Sequence, residues 1–126
     1  MFYYLVTEPA VKERLYEELR RDFKDGITYE GLVEHQYLDA FINECLRLGQ
    51  SVLSLDKVAT KDTQLGEYKL EKGTVIHLIT YLNHMSDKYF PDADKFDVNR
   101  FLDKSSNNKN EINRNDIFLP FSAGNR

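Results

Sequence analysis

A chain of 126 residues is long enough for one modest domain with a usable core, and its 41% hydrophobic and 30% charged content is that of a globular protein rather than a disordered one. The formal net charge of -4 and a pI near 5.4 leave no basic footprint, which argues against nucleic acid and an anionic membrane surface as partners. One cysteine, Cys45, excludes an internal disulfide; no apolar run approaches the roughly 18 residues that span a bilayer, and the opening MFYYLV lacks the basic start and cleavage site of a secretory signal.

The first periodic segment runs over residues 9–23, where Val11, Leu15, Leu19 and Phe23 recur every fourth residue while Lys12, Glu13, Glu17, Arg20 and Arg21 fill the rest of the wheel. Pro9 suits its first turn and Asp25-Gly26 its end. A second helix is expected from about Glu34 or Tyr37 to Leu48, with Leu38, Phe41, Ile42 and Cys45 on one stripe and Gly49 as the stop. Residues 52–79 change to short β-prone runs, VLSL, YKL and VIHLI, separated by turn chemistry at residues 65–68 and 71–74, which reads as a small antiparallel sheet. An aromatic, proline-punctuated stretch, KYFPDADKFDVNRFLD, follows and is expected to be largely irregular; the polar, Asn-rich residues 105–116 read as a solvated loop. There is no internal repeat. So much irregular chain after the strands suggests a piece of something larger that supports it.

Glu44 and Arg47 stand three apart, on a helix face turned away from the apolar stripe. Spacing alone reads as a solvated ion pair worth about 0.2–0.5 kcal/mol. If that face is covered, the buried charges call for a further partner, and Arg100 in FDVNRF is the candidate. Ser122 is no hydrolase nucleophile, because that elbow needs Gly where Pro120 stands, and the Lys72-Gly73-Thr74 run is a hairpin turn rather than a phosphate loop. His35, His77, His84 and Cys45 share no metal-ligand spacing, and Asp39, Asp56 and Asp62 form no recognisable acid/base pair. His77 reads as a satisfied polar residue on one side of the sheet.

Taken in chain order, these segments resemble the cytochrome P-450 superfamily, the haem-thiolate monooxygenases. Glu44-Cys45-Leu46-Arg47 matches its Glu-x-x-Arg helix motif, and GEYKLEKGT is a degraded form of its Gly-Tyr-x-Ile-Pro-Lys-Gly-Thr strand entry. NHMSDKYFPDADKFDVNRF is similar to the family's meander at His84, Phe90, Pro91, Phe96, Arg100 and Phe101, and PFSAGNR matches the start of the haem loop at Pro120, Phe121, Gly124 and Arg126. The N-terminal YYLVTEPAVKERLYEELRRDF looks like the end of the long oxygen-side helix followed by the next helix. The implied fold is mixed, mainly α with a small β-sheet: a partial P-450 domain over residues 1–126, comprising a helix, the Glu-x-x-Arg helix, a small sheet, the meander and the first part of the haem loop.

The resemblance implies that Glu44, Arg47 and Arg100 form a buried ion-pair cluster locking the meander to the helix. It also implies that Arg126 pairs with a haem propionate, that Phe121 packs beside the haem and its axial sulfur, and that Gly124 allows a tight turn. Lys57 stands where the family places a propionate-binding arginine, keeping the charge without the bidentate fork. Gln50-Ser51 replaces two common prolines, Val98-Asn99 replaces Pro-Glu, and Glu67 interrupts the Gly-Tyr pair. The iron-ligating thiolate is expected two positions beyond Arg126, and the oxygen-handling Ala-Gly-x-Asp/Glu-Thr stretch before Met1. Cys45 cannot substitute for the thiolate from inside the Glu-x-x-Arg helix.

The implied parent is an enzyme that uses haem b and molecular oxygen to insert one oxygen atom into an apolar small molecule, with electrons from a reductase. The 126 residues alone are expected to be inactive. A membrane connection is implied only through an upstream anchor, at the endoplasmic reticulum in a eukaryote. Residues 52–55 are the stretch that could line a substrate pocket, and the Ser-Ala-Gly loop form hints at fatty-acid hydroxylase-like branches. The alternative is a catalytically dead truncated relative or interaction module, whose apolar Phe118, Leu119 and Phe121 would need a partner surface.

Overall fold

The computed structural model describes residues 1–50, 52–102 and 117–122. Helix α1 (Phe2–Thr7) meets helix α2 (Pro9–Asp22) at Glu8, and Pro9 occupies the first turn of α2, where its missing N–H costs no intrahelical bond. Phe23 caps the end of α2, its N–H bonding the Leu19 carbonyl, so the helix closes just before the last residue of the expected stripe. Leu15 is buried, with Val11 and Leu19 packed partly against the same core.

A short helix not foreseen from the pattern, α3 (Tyr29–Glu34), is capped by Thr28, whose Oγ1 accepts the Gly31 N–H at 3.2 Å. A Cβ at Gly31 would lie 2.8 Å from Phe23 Cε1, so a larger residue there would have to displace the Phe23 ring. Helix α4 (Gln36–Leu48) is capped by His35, whose Nδ1 accepts the Leu38 N–H at 3.1 Å, and ends at Gly49. Its buried face is wider than the apolar stripe: Tyr37, Ala40, Phe41 and Cys45 are buried, and so are Glu44 and Arg47.

The strand region forms two separate two-stranded ladders. β1 (Leu55–Val58) pairs antiparallel with β4 (Val75–Leu78), and between them lies the hairpin of β2 (Thr63–Leu65) and β3 (Tyr68–Leu70). The hairpin turns on Gly66-Glu67, with Gly66 at φ 60° in the left-handed region. Pairing begins at Leu55 rather than at Val52, because Leu55 already faces Leu78 and the next residue, Ile79, caps a helix instead of extending β4.

Two one-turn helices, α5 (Thr80–His84) and α6 (Asn99–Leu102), bracket the proline-punctuated stretch, which otherwise proceeds by turns as its sequence suggests. One core cluster joins Leu15, Tyr37, Ala40, Phe41, Cys45 and Val98; a second joins Phe90, Ala93 and Ile117. Phe101 packs against both, so α6 and the meander close over α4. Among the described residues no helix is long and apolar enough to cross a membrane. Residues 105–116, read from sequence as a solvated loop, lie outside the described residues.

Candidate functional site

Glu44 and Arg47 are 0% exposed, so the solvated pair suggested by spacing alone is not what the chain builds. The meander covers the polar face of α4 and supplies its bonding. Arg47 grips Glu44 bidentately, Nε to Oε2 at 2.8 Å and Nη2 to Oε1 at 2.8 Å. Its other donors reach backbone carbonyls: Nη1 to His84 at 2.8 Å and to Ala93 at 2.6 Å, and Nη2 to Lys95 at 3.0 Å. All five N–H groups of the guanidinium are thereby engaged, the condition under which a buried cation is tolerated. The guanidinium also lies 5.3 Å from the centroid of the Phe90 ring.

Glu44 Oε1 additionally accepts the Asp97 N–H at 2.9 Å, and Arg100 Nε stands 3.5 Å from the same oxygen. Arg100 extends the net outward, donating through Nη1 to the Pro91 carbonyl and through Nη2 to the Asp92 carbonyl at 2.7 Å. Asp92 takes the left-handed φ of 53° that directs the chain there. Glu44, Arg47 and Arg100 therefore meet in one cluster. Six of its partners, the carbonyls of His84, Pro91, Asp92, Ala93 and Lys95 and the N–H of Asp97, are backbone groups that no side-chain motif displays.

Two of the other expected site residues, Phe121 and Lys57, lie among the described residues. Phe121 lies in the turn closed by the Ser122 N–H on the Leu119 carbonyl at 3.3 Å and is 75% exposed. Lys57 is exposed on β1, opposite Ile76. Gly124 and Arg126 lie outside the described residues. In kind, an uncovered phenyl face and an exposed cation suit a flat, apolar, dianionic macrocycle such as haem. Cys45 does not suit its iron: the side chain is 4% exposed in the core, and burial pushes the thiol up to about 11, far from the thiolate a ligand must be. Among the described residues no group of three or more His, Cys, Asp or Glu is placed to hold a metal ion.

Two histidines sit where sequence reasoning gave them little. His77 Nδ1 lies 2.7 Å from Asp56 Oδ1 across the β1–β4 ladder, an exposed pair visible only once the register is known. His84 is completely buried, and its Nε2 accepts the Leu119 N–H at 3.1 Å. It stands first in the meander motif, but nothing in that motif discloses a bond to a residue 35 positions on.

A family model described as Cytochrome P450 matches residues 1–126, the whole chain. Similar curated proteins include cytochrome P450 3A25 of Mus musculus, 34% identical over 100% of this chain and 25% of its own length. Cytochrome P450 3A18 of Rattus norvegicus is 35% identical over 100% of this chain and 25% of its own length, and cytochrome P450 4V2 of Mus musculus 35% identical over 98% and 23%. The chain thus spans about a quarter of the length of these relatives. With the Glu-x-x-Arg pair buried under its meander and the family matched from end to end, the chain belongs to the cytochrome P450 family.

Proposed function

We infer that this chain is part of a haem-thiolate monooxygenase, the part that anchors the meander and launches the haem loop. The carrying observation is the saturated Arg47 guanidinium, which ties α4 to the carbonyls of His84, Ala93 and Lys95. Such a buried net fixes backbone position to within a hydrogen bond's tolerance, which is what a cofactor loop needs from its support. Haem, when bound, supplies the reductive activation of oxygen and its insertion into an apolar small molecule.

The residues in hand bind and orient. Phe121 offers an apolar face to the macrocycle, Lys57 and Arg126 offer cations to its propionates, and Gly124 permits the turn between. Glu44, Arg47 and Arg100 hold the meander and carry no proton through the reaction. Because the Cys45 thiol is sequestered, the thiolate is assigned to a cysteine outside the present sequence, and residues 1–126 to a partial domain. A reductase as electron donor belongs to this reading. So does, in a eukaryotic source, attachment to the endoplasmic reticulum membrane through a segment outside these residues.

The test is spectroscopic. Full-length protein carrying this segment, reduced and exposed to carbon monoxide, is expected to give a thiolate-type Soret band and to consume oxygen with an apolar substrate and a reductase. A protein that takes up no haem, or binds it with only a non-thiolate band, overturns the proposal.

A further inference from the structure

Nothing in the ion-pair net requires an imidazole at position 84, yet His84 is among the largest fully buried side chains. It closes α5, and it bonds in two directions. Its backbone carbonyl accepts from Arg47 Nη1 at 2.8 Å, 37 residues back, while its Nε2 accepts the Leu119 N–H at 3.1 Å, 35 residues on. The ring is wedged between Phe118, at 5.2 Å between centroids, and Phe90, edge-on at 6.3 Å. A ring so enclosed cannot turn without moving the second core cluster.

Leu119 is the last residue before Pro120, which has no N–H to give. Its own peptide is held on both sides: the N–H by His84, and the carbonyl by the Ser122 N–H at 3.3 Å. Ser122 is left in the left-handed region at φ 72°, an uncommon conformation for a residue with a side chain. The chain therefore turns sharply immediately after being fastened, and the fastening is the imidazole.

We propose that His84 is the positioning residue of the haem loop: its Nε2 fixes the Leu119 amide and transmits the position of the buried Arg47 net to the start of the 119–122 turn. This rests on the haem-thiolate reading above. The role needs the neutral ring with its proton on Nδ1, since Nε2 must accept. Burial, and secondly the Arg47 guanidinium, hold the imidazole below the ordinary histidine range; the Ile117 carbonyl opposes them. Nδ1 itself is buried and has no hydrogen-bond partner among the described residues. The tether is thus made by one nitrogen only, and its loss should be specific.

The experiment uses full-length, haem-loaded protein and reads two things: residue-resolved hydrogen exchange at the Leu119 amide, and haem retention with the reduced carbon monoxide spectrum. His84→Leu keeps volume and removes the acceptor; His84→Gln offers an oxygen in its place. The leucine variant is expected to lose Leu119 protection and to release haem on the order of 10–100-fold faster, the usual scale for outer-shell changes, with part of the Soret intensity moving to a non-thiolate band. The glutamine variant should recover most of both. Wild-type spectrum and haem retention in His84→Leu, or an unprotected Leu119 amide in the wild type, overturns the proposal. If His84→Leu does not fold, as lost protection along α4 would reveal, Leu119→Pro deletes the same bond from the donor side; normal haem retention there overturns it equally. Should the wild type give no thiolate-type band while Leu119 protection still depends on His84, the monooxygenase reading and the loop role fall together and only the tether stands.

Discussion

Replacing Arg47 by alanine removes every donor that satisfies Glu44 bidentately and leaves the carbonyls of His84, Ala93 and Lys95 without their bonds. Among the described residues, Glu44, 0% exposed, would keep only the Asp97 N–H at 2.9 Å and the Arg100 guanidinium at 3.5 Å. Breaking a buried pair by removing one partner costs about 3–5 kcal/mol, which lowers the folded-to-unfolded ratio by roughly two to four powers of ten. The residual contacts place the expected loss toward the lower end of that range. The measurement is urea unfolding of full-length protein followed by the thiolate-type Soret band, together with haem content after purification. Arg47→Ala should yield protein depleted of haem and unfolding at much lower denaturant. Arg47→Lys, with three donors in place of five and no planar fork, should recover only part of the loss. An alanine variant within about 1 kcal/mol of wild type, below the loss expected for a broken buried pair, and carrying a full complement of haem, would refute the claim that this pair anchors the meander.

The depressed titration of His84 has a definite sign. Below about 6.5, the ordinary histidine value, the unfolded chain takes up a proton that the buried ring refuses, so the unfolded state holds more protons and stability falls with falling pH until the folded-state value is reached. Between pH 7.5 and 5.5, wild type should lose more stability than His84→Gln; equal slopes would rule this out. Cys45, buried and with its thiol raised to about 11, should resist a thiol-specific reagent in the folded protein and react at once after denaturation. Rapid labelling of the native protein would contradict the packing described for α4.

The sequence exposed what is local and periodic. Pro9 and Gly49 marked ends of α2 and α4, and the i, i+3 spacing of Glu44 and Arg47 put both on one face. It did not expose α3, whose six residues are too few for a period to register, nor that the cap of α4 is a histidine rather than a small polar residue. Strand pairing starts only at Leu55, the last residue of VLSL, for a reason outside the segment, since the partner strand is shortened where Ile79 turns into a helix. The candidate site shows the same limit. Charges on Glu44, Arg47 and Arg100 are visible in one dimension, but the groups that make them tolerable in the interior are peptide carbonyls and amides, which every residue carries and no pattern marks.

The bonds from α4 to the meander also impose an order in time. Arg47 reaches the Lys95 carbonyl 48 residues later, and Glu44 the Asp97 amide 53 residues later. At ribosomal speeds of 5–20 residues per second, the helix would wait roughly 2–10 s for those partners. Until then its charged face must stay hydrated, which keeps the nascent segment from collapsing onto the wrong neighbour. Completion of the net is thus a check that the chain has been made, in register, as far as the meander.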